Sequence, residues 1–508
     1  MKNIVRIAVF CAVLWMTFVD AQQKPLDVAT LPAFWRLNFE LIDMPDSRER
    51  KMGLLGINYL VDFEPWLYAG VAGYGVVSGE RGGLFTLGFE GGVQHEFLPH
   101  LSANAGMFVG GGGGHTAVVG GGLMLRPHAG ISYDLRYFQL GLDVSKVQFP
   151  TGHINSNQLA VNLSIPTEIT YRAVDDRYGN VNYNHPQQQY FDFTQYYISL
   201  LGQAYLQYDA RDEDMVKDSS NLGLVGIEID RFFTSSWFGL VKTAGAFSGR
   251  HNGYMDVFGG VGYRYLFPEF SALALNGRFA VGMGGGGKVD VGGGLLLEPS
   301  VGLQYQFTRD VGAEVAAGYL YAPDGRFNAL TLTGRVTYAL SAGSVAPKTV
   351  ANFSERYLQA WRVQAFNQTY FRPQRKNSNE QRDLELVGFQ IDAFVTPYFY
   401  IAGQATSAYA GKAGGYSTGM LGAGAHTPAY HKFDADAEVL FGAGGGGGID
   451  VSGGALVHPN ISVNYHFTPY LAAKAAVGRI ISFGGNLNAT TLNLGLTFNF
   501  ATVDGKKQ

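Results

Sequence analysis

The stretch "LEPSVGLQYQF", Leu297–Phe307, alternates apolar and polar residues from end to end. Its apolar face comprises Leu297, Pro299, Val301, Leu303, Tyr305 and Phe307. Successive side chains of a β-strand point to opposite faces, so this pattern predicts a strand with one apolar and one polar face. The same period of two recurs in "VFGGVGYRYLF" (257–267), "LTLTGRVTYAL" (330–340) and "LNLGLTFNF" (492–500). The predicted fold class is therefore all-β.

Three glycine-rich blocks mark an internal repeat. They are "GGGGGHTAVVGGG" (Gly110–Gly122), "GMGGGGKVDVGGG" (Gly282–Gly294) and "GAGGGGGIDVSGG" (Gly442–Gly454). A polar residue and a proline follow each block at the same distance: Arg126-Pro127, Glu298-Pro299 and His458-Pro459. Self-similarity at a fixed spacing indicates a repeated structural unit, here of about 140 residues. Each unit contains roughly eight alternating runs, so about 24 antiparallel strands are predicted in all.

The N-terminus has the three parts of a secretory signal peptide. Lys2 and Arg6 precede the apolar run "IAVFCAVLWMTFV", and the small-residue site "VDA" ends at Ala21. Cys11, the only cysteine, lies inside this segment, so disulfides and thiolate metal sites are excluded from the mature chain. The predicted organisation is a signal peptide (1–21), three repeats (34–171, 194–340 and 357–500), two linkers (172–193 and 341–356) and a C-terminal tail (501–508).

The connections between the predicted strands alternate in length. Short ones such as "FEPW", "FTSSW" and "FPEF" are rich in aromatic residues, whereas "DMPDSRERK", "YDARDEDMVKDSSN" and "FRPQRKNSNEQRD" are long and polar. Short turns at one end and longer loops at the other are typical of outer-membrane β-barrels, with aromatic girdles at the membrane interfaces. This pattern predicts a Gram-negative outer-membrane location, with outer-membrane lipid as a partner.

The strand count per unit, the loop asymmetry and hairpins such as "GVGYRYLFPEFSALALNGRF" resemble the small outer-membrane barrels of the OmpA/OmpX type, in three tandem copies. The strand "NLGLTFNF" resembles the C-terminal assembly signal of that family, carried here by Asn493, Gly495, Phe498 and Phe500. The resemblance implies the barrel assembly machinery as a partner. The usual signal ends the chain, whereas here "ATVDGKKQ" follows.

The polar faces predict an interior filled with ion pairs. A narrow eight-stranded barrel must be filled by side chains, and buried charges must be paired. If each glycine block is a hairpin tip centred on its seventh residue, Arg278 faces Glu298, Glu438 faces His458, and Gly106 faces Arg126. The predicted ion-pair residues are Arg126, Arg278, Glu298, Glu438, His458, Glu228, Asp230, Glu314 and Arg335. The recurrent proline, which removes a ladder hydrogen bond, predicts a β-bulge.

Two architectures fit about 24 strands. The long connections at the repeat boundaries favour three tandem eight-stranded barrels, because turns on the inner side of one wide barrel are normally short. The intact assembly signal in the last strand alone favours the alternative, one wide 24-stranded barrel, because Asn162 and Arg335 stand where Gly495 stands in the third repeat. We expect three barrels.

Catalytic and cofactor motifs are not recognisable. "GMGGGGK" fits the phosphate-loop pattern, but Val289 replaces the Ser or Thr that would hold magnesium, and no helix follows. His95 and His100, and likewise His426 and His431, lie at predicted turns, where solvated histidines are expected rather than metal ligands. A net charge of −4 without a basic cluster argues against nucleic acid. The sequence predicts no enzyme, cofactor or metal site.

Three functions remain open from the sequence. The favoured one is an outer-membrane protein with a structural or surface-interaction role, filled interiors, and loops such as Tyr208–Asn221 and Phe371–Asp383 facing outside for an unidentified extracellular ligand. A passive diffusion porin would require the single wide barrel. A lipid-modifying enzyme or protease of the outer leaflet is the third alternative.

Overall fold

The computed structural model describes residues 29–114, 117–173, 190–207, 220–346, 353–376, 378 and 381–507. The predicted signal peptide, with Cys11, and most of the predicted loop Tyr208–Asn221 lie outside these residues. Within the described ranges, no helix is long and apolar enough to cross a membrane.

The described chain is all-β and antiparallel, with 24 strands and a short 3-10 helix at Ala117–Val119. The predicted fold class is confirmed at this level. Unit 1 contains β1 (Ala29–Ile42), β2 (Met52–Glu64), β3 (Leu67–Ser78), β4 (Phe85–Leu98), β5 (Leu101–Gly113), β6 (Met124–Asp134), β7 (Gln139–Gln148) and β8 (Asn155–Ala173).

Two further sets of eight strands follow the first. Unit 2 contains β9 (Tyr190–Gln207), β10 (Leu222–Phe232), β11 (Trp237–Ser248), β12 (Met255–Phe267), β13 (Phe270–Gly285), β14 (Leu295–Gln306), β15 (Val311–Tyr321) and β16 (Asn328–Ala346). Unit 3 contains β17 (Phe353–Phe371), β18 (Leu384–Thr396), β19 (Phe399–Ala410), β20 (Ser417–His426), β21 (Phe433–Gly445), β22 (Ala455–His466), β23 (Leu471–Ser482) and β24 (Asn488–Lys507).

Strand pairing returns to its starting point after every eighth strand. In unit 1, β1 pairs with β2 and also with β8. In unit 2, β9 pairs with β10 and β16, and in unit 3, β17 pairs with β18 and β24. Pairing between units, within the described ranges, is confined to Ala342 with Asp504 and to Phe500 and Ala501 with Ala173 and Arg172.

The strands at the unit boundaries are longer than predicted. Strand β16 continues to Ala346 and β17 begins at Phe353, so most of the segment expected to be the second linker is strand. The predicted C-terminal tail is strand as well, because β24 runs to Lys507 and pairs with β17, for example through Asp504 and Tyr357. Composition alone did not predict these extensions, because each lengthened strand pairs with another strand that is lengthened as well.

The recurrent proline interrupts a ladder without forming the predicted bulge. Between β14 and β15, Leu297 pairs with Tyr321, the ladder skips two residues, and Ser300 pairs with Gly318. The register is the same on both sides of the gap, whereas a bulge inserts a residue and shifts the register. Units 1 and 3 have the same gap at Arg126-Pro127 and His458-Pro459. The bulge prediction is therefore wrong.

Side chains alternate between a buried polar interior and an exposed apolar exterior. Val315 and Ile461 are 72% and 67% exposed, whereas Arg335 and Asp392 are at most 4% exposed. In the described chain, most aromatic residues that are more than half exposed lie at the short turns, whereas Phe441 lies within β21 and Phe483 lies at the loop end. Those at the short turns are Trp66, Tyr137, Phe233, Trp237, Phe270, Phe307, Tyr398, Phe399, Tyr430, Phe433 and Phe467. An apolar outer band with an aromatic girdle matches the surface of a membrane-embedded barrel.

The glycine blocks join the three units in a cycle. The β3–β4 loop of unit 1 contacts the block of unit 2, where Gly82 N–H donates to Gly292 O at 3.0 Å. The equivalent loop of unit 2 contacts the block of unit 3, and that of unit 3 contacts the block of unit 1. A Cβ added at Gly253 would lie 2.8 Å from Gly446 N, and one at Gly415 would lie 2.9 Å from Gly114 N. Glycine allows these backbones to approach each other closely.

Candidate functional site

The interiors of the three units are the candidate functional sites, since they hold most of the buried charge. Glycine makes room for these side chains: a Cβ added at Gly302 would lie 2.8 Å from Glu314 Cδ. A Cβ at Gly424 would likewise meet the Tyr400 ring. Large charged residues therefore occupy an interior in which their neighbours are small.

The centre of unit 2 is a network of two arginines and three carboxylates. Arg278 donates from Nη1 and Nη2 to Glu314 at 2.6 and 2.9 Å. Its Nε lies 3.1 Å from Glu228 Oε1, and its Nη2 lies 3.5 Å from Asp230 Oδ2. Arg335 bridges the same two glutamates, with distances of 2.9 Å to Glu228 and 2.9 Å to Glu314. The two guanidinium groups thus share carboxylates contributed by different strands.

Lys242 and Glu298 form a second ion pair in unit 2. Gln203 supports it by donating from Nε2 to Glu298 Oε1 at 2.6 Å. Nearer the long loops, Tyr205 donates its hydroxyl to Asp256 at 2.7 Å. Every one of these side chains is buried, so polar contacts run from the middle of the unit toward its loop end.

Unit 1 has an analogous but smaller arrangement. Arg126 is fully buried and donates from Nε to Glu40 at 2.6 Å. Ser145 also donates to Glu40, and Gln158 donates to it at 2.9 Å. Arg36 lies 3.4 Å from Glu90, so each of these two arginines has its own carboxylate.

In unit 3, one arginine joins two aspartates. Arg362 donates to Asp392 at 2.7 Å and to both oxygens of Asp436 at 3.1 Å. Glu438 instead accepts hydrogen bonds from three neutral groups, at 2.9 to 3.0 Å: Tyr400, Gln390 and Asn460. His458 contacts the Thr491 hydroxyl at 2.9 Å through Nε2.

Five predicted residues meet in one network: Arg278, Arg335, Glu228, Asp230 and Glu314. The predicted cross-tip pairs are wrong by two residues of register. Arg278 pairs with Ser300, while Glu438 faces Asn460 and Gly106 faces His128. The hairpins are centred on the eighth residue of each block rather than on the seventh.

Several charged residues of the interior were not predicted from the sequence. They include Arg36, Glu40, Glu90, Lys242, Arg362, Asp392, Asp434, Asp436 and Lys474. A signal was present for them, since Arg362 alternates with the outward residues Trp361 and Val363. His426 was expected to be solvated, but it is 6% exposed and its Nδ1 lies 2.8 Å from Asp436 Oδ1. His100 and His431 are exposed at turns, as predicted, whereas His95 is exposed but lies in β4 rather than in a turn.

An apolar plug closes the loop end of each unit above the charged network. In unit 2 the glycine block folds inward, so that Val289 and Val291 are 3% and 2% exposed and pack with Tyr254 and Phe327. Ile449 and Val451 do the same in unit 3 with Tyr416, and Val119 does so in unit 1. Burial raises the pKa of the Tyr254 and Tyr416 phenols, which lie in loops outside the strands.

The interior of unit 3 retains a small cavity beneath its plug. Its volume is about 10 Å³, and it is lined by Gln364, Glu438, Lys474 and Asn493, among others. Sites for small organic ligands usually enclose roughly 300–1,000 Å³. This cavity is therefore below the usual size of a substrate site.

The residues of the predicted assembly signal lie in the middle of β24. Asn493 faces inward, and a Cβ at Gly495 would meet Phe366 at 2.5 Å. Phe498 and Phe500 are half-buried on the outside, where their ring centroids lie 6.2 and 6.5 Å from that of Tyr171 in unit 1. The two phenylalanines thus contact a neighbouring unit as well as belonging to the predicted signal.

Comparison with known proteins gives no family for the chain, since no family model and no curated protein matches it. Among solved structures it is similar to Pseudomonas aeruginosa OccK11 (OpdR), with 11% identity and a TM-score of 0.21 over 94% of this chain and 96% of that one. It is also similar to Pseudomonas aeruginosa OpdK (8% identity, TM-score 0.22, 94% and 99% covered) and Acinetobacter baumannii OccAB4 (9%, 0.22, 94% and 99%). TM-scores of this size carry no inference for this chain.

The family resemblance proposed from the sequence is wrong, since no family model, including one for such small barrels, matches the chain. The three solved structures named above are of the Occ/Opd type, and none of them is named as a small barrel of the OmpA/OmpX type. The assignment is wrong because it rested on strand alternation and turn composition. Any membrane barrel must have both features, whatever its descent.

Proposed function

We propose that the chain is an outer-membrane protein in which three eight-stranded barrels lie side by side and serve a structural or surface-interaction role. The pairing of β1 with β8, β9 with β16 and β17 with β24 supports three closed barrels. The exposed apolar band and the aromatic residues at the short turns support the membrane location. Outer-membrane lipid and the barrel assembly machinery would be its partners.

The loop-end plug is the observation that carries the functional proposal. Val289, Val291, Ile449 and Val451 close the mouths of two units, and paired charges fill the space beneath. A solute would have to displace both layers. The proposed role is therefore one of presenting loops and stabilising the membrane, without passage through the barrels and without catalysis.

Conductance of the purified full-length protein in a planar bilayer tests this proposal. We expect no stable channels under conditions in which a reference porin gives nanosiemens steps. Stable steps of that size would refute the plugged barrels and establish the passive diffusion porin.

A second measurement tests the membrane assignment independently of conductance. A folded barrel protein is expected to migrate differently on a gel with and without boiling and to fractionate with outer membranes. Recovery in the soluble fraction, with no change on boiling, would refute the location itself.

A further inference from the structure

The turn end of unit 3 holds a buried cluster of donor atoms. His426 is the last residue of β20, and Asp434 and Asp436 lie near the start of β21. His426 Nδ1 lies 2.8 Å from Asp436 Oδ1 and 3.8 Å from Asp434 Oδ1. The three donor atoms all lie within 4.8 Å of one another.

These separations suit a single metal ion. Zinc binds histidine nitrogen and carboxylate oxygen at about 2.0–2.2 Å, so neighbouring ligand atoms around it lie roughly 3–3.5 Å apart. The His426 distances of 2.8 and 3.8 Å bracket that spacing. One imidazole and two carboxylates form a donor set that first-row divalent ions accept.

Surrounding side chains hold the carboxylates in place. His466 and Asn464 bond to Asp434. Asp436 Oδ2 accepts from Ser462 at 3.0 Å and Asn464 at 2.9 Å. Hydrogen bonds of this kind orient metal ligands and strengthen metal binding.

The charge balance of unit 3 favours an added cation. Four carboxylates are buried close together in this interior, whereas Arg362 and Lys474 are the buried lysine and arginine side chains among the described residues of the unit. The carboxylates are Asp392, Asp434, Asp436 and Glu438. Arg362 and Lys474 both contact Asp436, at 3.1 and 3.3 Å, whereas Asp434 contacts the imidazoles of His426 and His466. Buried negative charge that exceeds the positive charge around it is costly, so a divalent ion would offset the excess.

Unit 2 has a permanent positive charge at the position equivalent to this cluster. By strand register, His426 and Asp436 correspond to Arg264 and Asn276, which pair with each other across β12 and β13. The position of Asp434 corresponds to Ala274. Unit 2 thus has a fixed guanidinium and a single amide where unit 3 has an imidazole and two carboxylates.

We propose that His426, Asp434 and Asp436 bind one divalent first-row transition ion, with water completing the coordination. The ion would enter from the turn end, which is opposite the plugged loop end. The proposal does not depend on the structural or surface role proposed above, because a plugged barrel and a porin would both contain the cluster.

Metal titration of the full-length folded protein tests the site. After removal of metal with a chelator, we expect one Zn²⁺ per chain by elemental analysis and one Co²⁺ per chain by its visible absorption bands. The variants His426→Gln and Asp434→Asn should each weaken binding at least about tenfold. The matched variant His458→Gln changes a buried histidine of the same unit, bonded to Thr491, and should bind as the unmodified protein does.

Two results would overturn the proposal. One is the lack of stoichiometric Co²⁺ binding by unmodified protein, which would leave the cluster an ion-pair site only. The other is unchanged binding in both ligand variants, which would place the metal elsewhere. The gel shift on boiling verifies that each variant is folded before titration, and Asp436→Asn replaces any ligand variant that fails this check.

Discussion

Arg278 is the most connected cation in the interior of unit 2, and Arg278→Met removes its charge while preserving much of its length. The guanidinium contacts Glu314 at 2.6 and 2.9 Å, Glu228 at 3.1 Å and Asp230 at 3.5 Å. The variant leaves three buried carboxylates around Arg335. Removing one partner of a buried ion pair costs about 3–5 kcal/mol, and this arginine has three partners, so we expect a loss near the upper end.

Equilibrium unfolding by urea in lipid vesicles measures this loss. Replacing Trp35, Trp66 and Trp361 by Phe leaves Trp237, at the start of β11, as the one tryptophan after the predicted signal peptide and as the fluorescent reporter of unit 2. Arg231→Met is the matched control, because it makes the same chemical change on the exposed face of β10. The control is expected to change the free energy of unfolding by less than about 1 kcal/mol.

A double variant separates the ion-pair effect from a packing effect. Glu314→Gln combined with Arg278→Met removes one of the carboxylates left without a partner. The loss of unfolding free energy in the double variant should therefore be smaller than the sum of the losses in the two single variants by about 0.5–3 kcal/mol. Equal losses for Arg278→Met and Arg231→Met, or strict additivity in the double variant, would refute the reasoning.

Three other outcomes follow from the structure. Gly253→Val places a Cβ 2.8 Å from Gly446 N, at a φ of +90° that a valine rarely adopts. This variant should destabilise the contact between units 2 and 3 by at least about 1–2 kcal/mol in urea unfolding. The control Gly334→Ala, whose Cβ would have no atom within 4 Å, should leave the free energy of unfolding unchanged. Lys242→Met, which leaves Glu298 buried without its ammonium partner, should cost about 3–5 kcal/mol in the same assay, and a change below about 1 kcal/mol would contradict the pairing. Trp66 and Trp237, both about half exposed beside short turns, should be quenched more by lipids brominated near the headgroup than by lipids brominated at the chain ends, and the reverse order would contradict the girdle.

The residues of the interior network show which features of the site could be predicted from the sequence. Alternation alone assigned Glu228, Glu314 and Arg335 to the polar face, because the period of two is fixed by the backbone. It did not assign partners. The centre of each glycine block differs by one residue from the expected position, so Arg278 faces Ser300 rather than Glu298.

The site at the turn end of unit 3 was missed for a different reason. In the sequence, His426 stands in a turn-like segment with a proline, and such a histidine is normally solvated. Its burial depends on Asp436 directly across the ladder and on Phe394, whose ring centroid lies 5.7 Å away. Asp436 is the partner of His426 in the β20–β21 hairpin, whereas Phe394 lies on β18, two strands away in the sheet.

The sequence by itself determined the strand period, the repeat, the two kinds of connection and the polar composition of the interior, because each is local or recurs at a fixed spacing. The tertiary structure alone decided which strands pair at the unit boundaries, how β24 extends to Lys507, and how the three glycine blocks contact the loops of neighbouring units in a cycle. These features join residues far apart in the chain, and their energy depends on close backbone approach and on charges paired across a sheet. Neither quantity is encoded in a residue and its near neighbours.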